Sequence, residues 1–257
     1  MTRFYFMAAL GFTAAGFTSF AFGQDEPLPK AESILDRYVE VTGGKAAYEK
    51  CKNLVETGTF EMAAAGLKGV LTRYSAEPAE EYSVIEIDGV GKVEEGVDKG
   101  VAWEKNPMLG PRIKTGGEKA QALRSGLFNE SIRWREVYPK VETIGTEMLD
   151  GELCYKVLLT PKDGNPETLY FQKKTGFAVK VMTVAVSQMG DVPMEGYSSN
   201  YKSFEGLSIP TKLTQKFGGQ EITITIQDVK MNQPLAADRF DPPADIRVLL
   251  SKPAEKK

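Results

Sequence analysis

The sequence predicts an α+β fold: a strongly curved antiparallel sheet, an incomplete β-barrel of about ten strands, with helices covering its concave face. Three observations predict it. Short runs rich in strand-forming residues follow one another through tight turns with no helix between them, which makes neighbours antiparallel. Helical periodicity is confined to two places, residues 30–51 and the interval between Gly117 and Tyr138. A sheet of that many strands curls, and the two helical segments alone are available to cover its apolar inner face.

The chain opens with Met1-Thr2-Arg3, followed by an uncharged stretch from Phe4 to Phe22. Ala21-Phe22-Gly23 places small residues at the −3 and −1 positions of a cut before Gln24, and acidic Asp25-Glu26 follows. This is the layout of a secretory signal peptide over residues 1–23. Threonines, a serine and glycines make the run a poor membrane span. No cysteine follows the cut, so no N-terminal lipid anchor is expected. The mature chain is expected to be an exported, soluble periplasmic protein, with one domain over 24–250 and a disordered charged tail over 251–257.

Ile34, Leu35, Tyr38 and Val39 recur at helical spacing, and Gly43-Gly44 stops that helix. Ala46, Ala47 and Tyr48 support a short second helix ending near Cys51. Strands follow over residues 54–62 and 66–75, with Ala63 to Gly66 turning between them. Further strands span 81–87, 90–98 and 101–104, punctuated by Asp88-Gly89 and Lys99-Gly100. The stretch from Asn106-Pro107 to Gly116-Gly117 breaks the pattern and leads into the internal helical region. There Ala120, Leu123, Leu127 and Ile132 share a face, as one helix or two short ones.

After Tyr138-Pro139 the strands resume. Asp150-Gly151, the cluster Pro161 to Pro166 and Lys173 to Gly176 divide a meander whose strands include Cys154–Leu159, Thr168–Phe171 and Phe177–Val186. Tyr197–Phe204 leads to the last hairpin. There Leu213, Gln215 and Phe217 alternate with wet positions, Gly218-Gly219 turns the chain, and Ile222, Ile224 and Ile226 return. Phe240-Asp241-Pro242-Pro243 closes the fold.

Composition excludes several chemistries. The chain of 257 residues has no histidine, which removes Ser-His-Asp and Cys-His catalysis and histidine-based metal sites. There is no Walker motif and no glycine-rich strand-to-helix phosphate loop, so no cofactor is expected. Gly89-Val90-Gly91 lies between strands and reads as a hairpin turn. The net charge of −3 has no basic concentration behind it, which argues against nucleic acid. Glu80-Glu81 and Glu94-Glu95 are adjacent in strands, point to opposite faces and read as solvated surface. Cys51 and Cys154 match no metal or redox spacing; they form either a disulfide or two buried thiols.

Trp103, Met108, Leu127, Phe128, Trp134 and Tyr138 cluster around the internal helices. They read either as core between lid and sheet or as the wall of an apolar ligand pocket. Without a catalytic constellation the protein is expected not to be an enzyme. An exported domain recruiting an envelope protein through its sheet edge is the competing reading.

Several motifs together resemble the bacterial outer-membrane lipoprotein-sorting family, the LolA/LolB-like periplasmic carriers. They are Tyr38 with Gly43-Gly44; Gly100-Val101-Ala102-Trp103 with Pro107; Tyr138-Pro139; Asp150-Gly151 with Tyr155-Lys156; Gly206 to Pro210; and Asn232 with Phe240 to Pro243. The resemblance implies an unclosed barrel, helices over its concave face and a cavity that holds acyl chains of lipid or lipoprotein. Arg73 is the candidate for the family's barrel arginine.

Overall fold

The computed structural model of the protein describes residues 27–187 and 190–251. The expected signal peptide with its cut before Gln24, and the tail beyond Ser251, lie outside the described residues.

Two antiparallel meanders make one sheet. The first contains β1 (Asn53–Met62), β2 (Leu67–Ala76), β3 (Glu80–Ile87), β4 (Gly91–Asp98), β5 (Val101–Asn106) and β6 (Gly110–Ile113). The second contains β7 (Lys140–Leu149), β8 (Glu152–Thr160), β9 (Glu167–Gln172), β10 (Ala178–Ala185), β11 (Val192–Phe204), β12 (Leu207–Phe217) and β13 (Gln220–Met231). The last strand pairs with the first, Leu54 opposite Met231 and Glu61 opposite Thr223, and welds the meanders into 13 strands in the order β6-β5-β4-β3-β2-β1-β13-β12-β11-β10-β9-β8-β7.

This corrects the expected strand number upward. The short β6 lies inside a stretch that its proline and glycines had marked as a break, and it pairs with β5 through only four residue pairs. A proline is tolerated there because β6 is an edge strand.

Four hairpins turn on two residues that both take positive φ: Lys99-Gly100, Asp150-Gly151, Glu205-Gly206 and Gly218-Gly219. That is the conformation whose twist matches the flanking strands. These turns fix the register, and with it which side chains face inward.

The two outer strands, β6 and β7, are consecutive in the chain, joined by residues 114–139. This insert runs between the two free edges, where closure of a barrel would occur. It contains α3 (Gly116–Ser125), a 3₁₀ turn over Glu130–Arg133 and α4 (Trp134–Val137), the two-helix form of the region. Alpha-helix α3 touches β5 at one side. At the other, the Gln121 side chain donates to the Val184 carbonyl at 2.9 Å and accepts from the Val186 N–H at 3.0 Å. β5 and β10 are eight positions apart in the sheet order. In a flat sheet they would lie about 38 Å apart, against roughly 15 Å for the length of a ten-residue helix. The sheet is therefore strongly curved as well as open.

The N-terminal helix α1 (Ala31–Val41) ends at the glycine pair, as predicted, and α2 (Lys45–Lys50) ends beside Cys51. Ala31, Ile34 and Leu35 of α1 pack with Trp134, Tyr138, Val157, Leu159 and Phe171. A final helix, α5 (Ala244–Ser251), was not foreseen beyond Pro243. Its Ile246 is fully buried, and Asp245 pairs with Lys105 of β5 at 2.7 Å. The preceding segment lays Arg239 over the Tyr74 ring, 4.4 Å from its centroid.

Both cysteines are buried and free, so the disulfide alternative falls. Cys51 packs with Phe128, Leu207 and Met231. Cys154 alternates along β8 with Tyr155 and Val157, which belong to the α1 cluster, and so points away from it.

Candidate functional site

One row of residues crosses the first meander on the face turned toward α3. Strand register places Glu56 opposite Arg73, Arg73 opposite Ser83, Ser83 opposite Glu95, Glu95 opposite Glu104 and Glu104 opposite Arg112. Directly opposed side chains in antiparallel strands are neighbours, so a charged row forms. Arg73 Nη2 lies 2.6 Å from Glu56 Oε2, and the Glu56 carboxylate holds the arginine proton even more firmly than usual. Glu56 is only 4% exposed, a buried carboxylate that needs its partner.

Farther along the row, Lys114 pairs with Glu95 at 2.9 Å and Arg112 with Glu104 at 2.8 Å. Arg112 also grips Glu118 of α3 in a bidentate contact, which holds that carboxyl below its usual range. The charged row thus fastens the helix to the sheet. Glu81, expected as solvated surface, instead faces inward, whereas Glu95, on the same wall, keeps its carboxylate exposed as expected. Curvature of the sheet turns an alternating charged face into an interior wall, which periodicity along one strand does not reveal.

Between this wall, α3 and the opposite arm lies a cavity of about 360 Å³. Glu81, Glu95, Val97 and Lys114 line it from the first meander, and Glu118, Gln121, Ala122 and Arg124 from α3. Glu167, Val181, Thr183, Ala185 and Met194 line it from the second meander, joined by Glu130 and Tyr138.

Glu130 and Tyr138 are shared with an adjoining crevice of about 150 Å³. The remaining crevice walls are mostly apolar: Leu35, Tyr38, Trp134, Leu159, Leu169, Phe171 and Ala178, with Ser131. Charged wall and apolar crevice thus meet at two residues. The cavity expected to be apolar is amphipathic.

At the junction, the Tyr138 hydroxyl lies 2.7 Å from Glu130 Oε1 and also contacts Glu167 Oε1. A phenol has one proton to donate, so the second contact satisfies both oxygens only when a carboxyl carries a proton. Burial pushes Glu130 up to about 7; the Tyr138 hydrogen bond opposes this and the Glu167 charge adds to it. Burial likewise raises Glu81, with Arg73 opposing.

The six aromatic and apolar residues singled out from the sequence do not share one site. Trp134 and Tyr138 line the crevice. Phe128 packs against Cys51, Leu207 and Met231, and Leu127 is half-buried just past α3. Met108, 87% exposed, is at the β5–β6 hairpin tip. Trp103 is fully buried on the other face of the sheet, beside Tyr82 at 6.1 Å between ring centroids. Tyr82 in turn stacks on Tyr74, beneath Arg239. Sequence reasoning missed Glu81, Glu130, Glu167 and Thr183. The alternation that placed Glu81 and Glu80 on opposite faces was the usable signal, lacking only the knowledge of which face turns inward.

No protein-family model matches the chain, and no curated protein matches it. Solved structures do. A DUF1329 family protein from Desulfovibrio piger is 19% identical with a TM-score of 0.56, over 82% of this chain and 97% of that one. A LolA superfamily protein from Nitrosomonas europaea is 15% identical with a TM-score of 0.52, over 84% and 99%. A putative outer membrane lipoprotein-sorting protein domain from Vibrio parahaemolyticus is 16% identical with a TM-score of 0.53, over 82% and 97%. The chain has the LolA-like fold that its turn motifs imply. Among the described residues no helix is long and apolar enough to cross a membrane.

Proposed function

We propose that this protein is a non-catalytic, exported carrier or sensor that holds the acyl chains of a lipid or lipoprotein between the curved sheet and its helical insert. In this reading α1, α3 and α4 cover the concave face, and α3 acts as the lid of the cavity. The observation that carries it is the meeting of a partly enclosed cavity with an apolar crevice walled by Leu35, Trp134, Leu159, Leu169 and Phe171. A cavity of about 360 Å³ falls within the span of small-molecule sites. Hydrocarbon entering a mostly apolar crevice displaces little strongly bound water, which favours its entry. The fold is shared with a putative outer membrane lipoprotein-sorting protein domain, and that likeness supports the choice of acyl chains as ligand.

The signal-peptide layout supports a periplasmic setting, where such a carrier would meet envelope lipids and any envelope protein partner. Organic extraction of the protein purified from its exported fraction, followed by mass spectrometry, tests the reading. Stoichiometric acyl lipid is the expected finding, with saturable uptake of a fluorescent fatty-acyl probe once that lipid is removed. Absence of both would leave a packed interaction domain as the better description.

A further inference from the structure

The cavity wall carries five carboxylates, Glu81, Glu95, Glu118, Glu130 and Glu167. Two are neutralised, Glu95 by Lys114 and Glu118 by Arg112. Among the described residues no lysine or arginine lies within ion-pair distance of the other three. Arg73 is near enough to Glu81 to favour its charge, but its guanidinium already serves Glu56. Arg124 stands in the same relation to Glu130, with its guanidinium donating to the Asp163 carbonyl at 2.9 Å. Uncompensated carboxylates in a partly enclosed space are costly, and the site offers two remedies: take up a proton or take up a cation.

A second observation points the same way. Thr183 Oγ1, in the wall formed by β10, is buried and has no hydrogen-bond partner. On that strand Thr183 has the same parity as Val181 and Ala185, which also line the cavity. An unpaired buried hydroxyl is normally matched by a donor or acceptor that completes it. Here a ligand N–H would do so, on the arm that also presents Glu167.

We infer that the ligand's polar end is cationic, an amine or ammonium group seated among Glu81, Glu130 and Glu167 with Thr183 at its side, while its hydrocarbon lies along the Trp134 crevice. This rests on the carrier reading above and specifies its ligand class. An anionic head would meet five carboxylates, and a neutral one would leave three of them uncompensated. The ammonium replaces the proton that Tyr138, Glu130 and Glu167 otherwise share, so binding and protonation compete. The groups facing Glu130 are Tyr138 from the end of the insert, Glu167 from β9, Arg124 from α3, and Glu81, Glu95 and Lys114 from the first meander.

Calorimetric titration of the delipidated mature protein with decylammonium, decanol and decanoate, each below its aggregation threshold, tests the inference. At pH 8 decylammonium should bind at least about tenfold tighter than decanol, and decanoate more weakly than either. Lowering the pH to 6 should reduce the ammonium preference by roughly tenfold, because the carboxyl proton returns. Glu167→Gln and Glu130→Gln should each shrink that preference. Equal affinity for the three probes, or a preference for decanoate, would overturn the cationic head and leave the carrier reading standing. Failure of every probe to bind would overturn both.

Discussion

Arg73 and Glu56 show how a single pair sets the character of the inner face. Glu56 is almost wholly enclosed, and its nearest compensation is the Arg73 guanidinium at 2.6 Å. Arg73→Ala should cost about 3 kcal/mol because it strands a buried charge, and adding Glu56→Gln should restore much of the loss. Urea unfolding of the three proteins checks this; an Arg73→Ala chain as stable as the parent would contradict it.

Glu130 makes a second prediction, with a definite sign. Its carboxyl is raised by burial to about 7, so the folded chain holds that proton more tightly than the unfolded one. The stability it contributes is fully present below its ordinary pKa of about 4.5 and is lost as pH rises through about 7. The window is worth roughly 3 kcal/mol. Glu81, raised in the same direction, adds to the slope, whereas Glu118, lowered by Arg112, contributes stability that is lost on acidification. Denaturant unfolding at pH 5 and pH 8 should therefore show a smaller loss in Glu130→Gln than in the parent. Identical losses would refute the assignment.

Gly96 supplies a third residue-level test. A Cβ built there would lie 2.5 Å from the Trp103 ring, which is itself buried on all sides. Gly96→Ala should destabilise by about 1–3 kcal/mol through overpacking, read as a lower melting temperature. These partners were out of reach of the sequence. Gly96 and Trp103 are brought together by the β4–β5 register, and Glu81 was indistinguishable from a solvent-facing strand residue until curvature was known.

At the scale of elements, hairpins were the most legible part of the molecule. Asp150-Gly151 and Gly218-Gly219 announce two-residue turns because glycine relieves the positive φ that such turns demand. The helix start and stop around α1 was equally clear, since Gly43-Gly44 follows an amphipathic run. Elements held by tertiary contact were not. The edge strand β6 contains a proline, and α5 is short and follows two prolines. What holds α5 is Ile246 in the sheet surface and the Asp245–Lys105 pair, neither of which is a local signal.

Helix α3, the lid of the proposed carrier, is the element whose attachment tests that proposal. It has no buried residue of its own and is held by Arg112–Glu118 at one side and by Gln121 on β10 at the other. Gln121→Ala removes both bonds to Val184 and Val186 and should weaken the closed position by about 1–2 kcal/mol. Hydrogen exchange read by mass spectrometry should then show faster exchange across α3 with the central strands β1, β2 and β13 unchanged. Acceleration spread evenly over the sheet would mean that α3 is structural and not a lid.

For the whole molecule, the governing feature is that the chain leaves the sheet at one free edge and re-enters it at the other. Local antiparallel order was readable from the turns, and so was the curvature of a sheet with that many strands. The pairing of β1 with β13 was not, because partners such as Glu56 and Val229, 173 positions apart, leave no local mark. That pairing sets which face of each meander turns inward, and it separates the two tryptophans: Trp134 at the crevice, Trp103 on the opposite face.

The separation allows a direct test of ligand position. Two single-tryptophan proteins, Trp103→Phe and Trp134→Phe, are titrated with a nitroxide-labelled fatty acyl chain and tryptophan fluorescence is followed. Saturable quenching of Trp134 in the first protein, with Trp103 in the second left bright, is the result expected of an acyl chain lying between the insert and the second meander. Quenching of both tryptophans alike, or of neither, would contradict it.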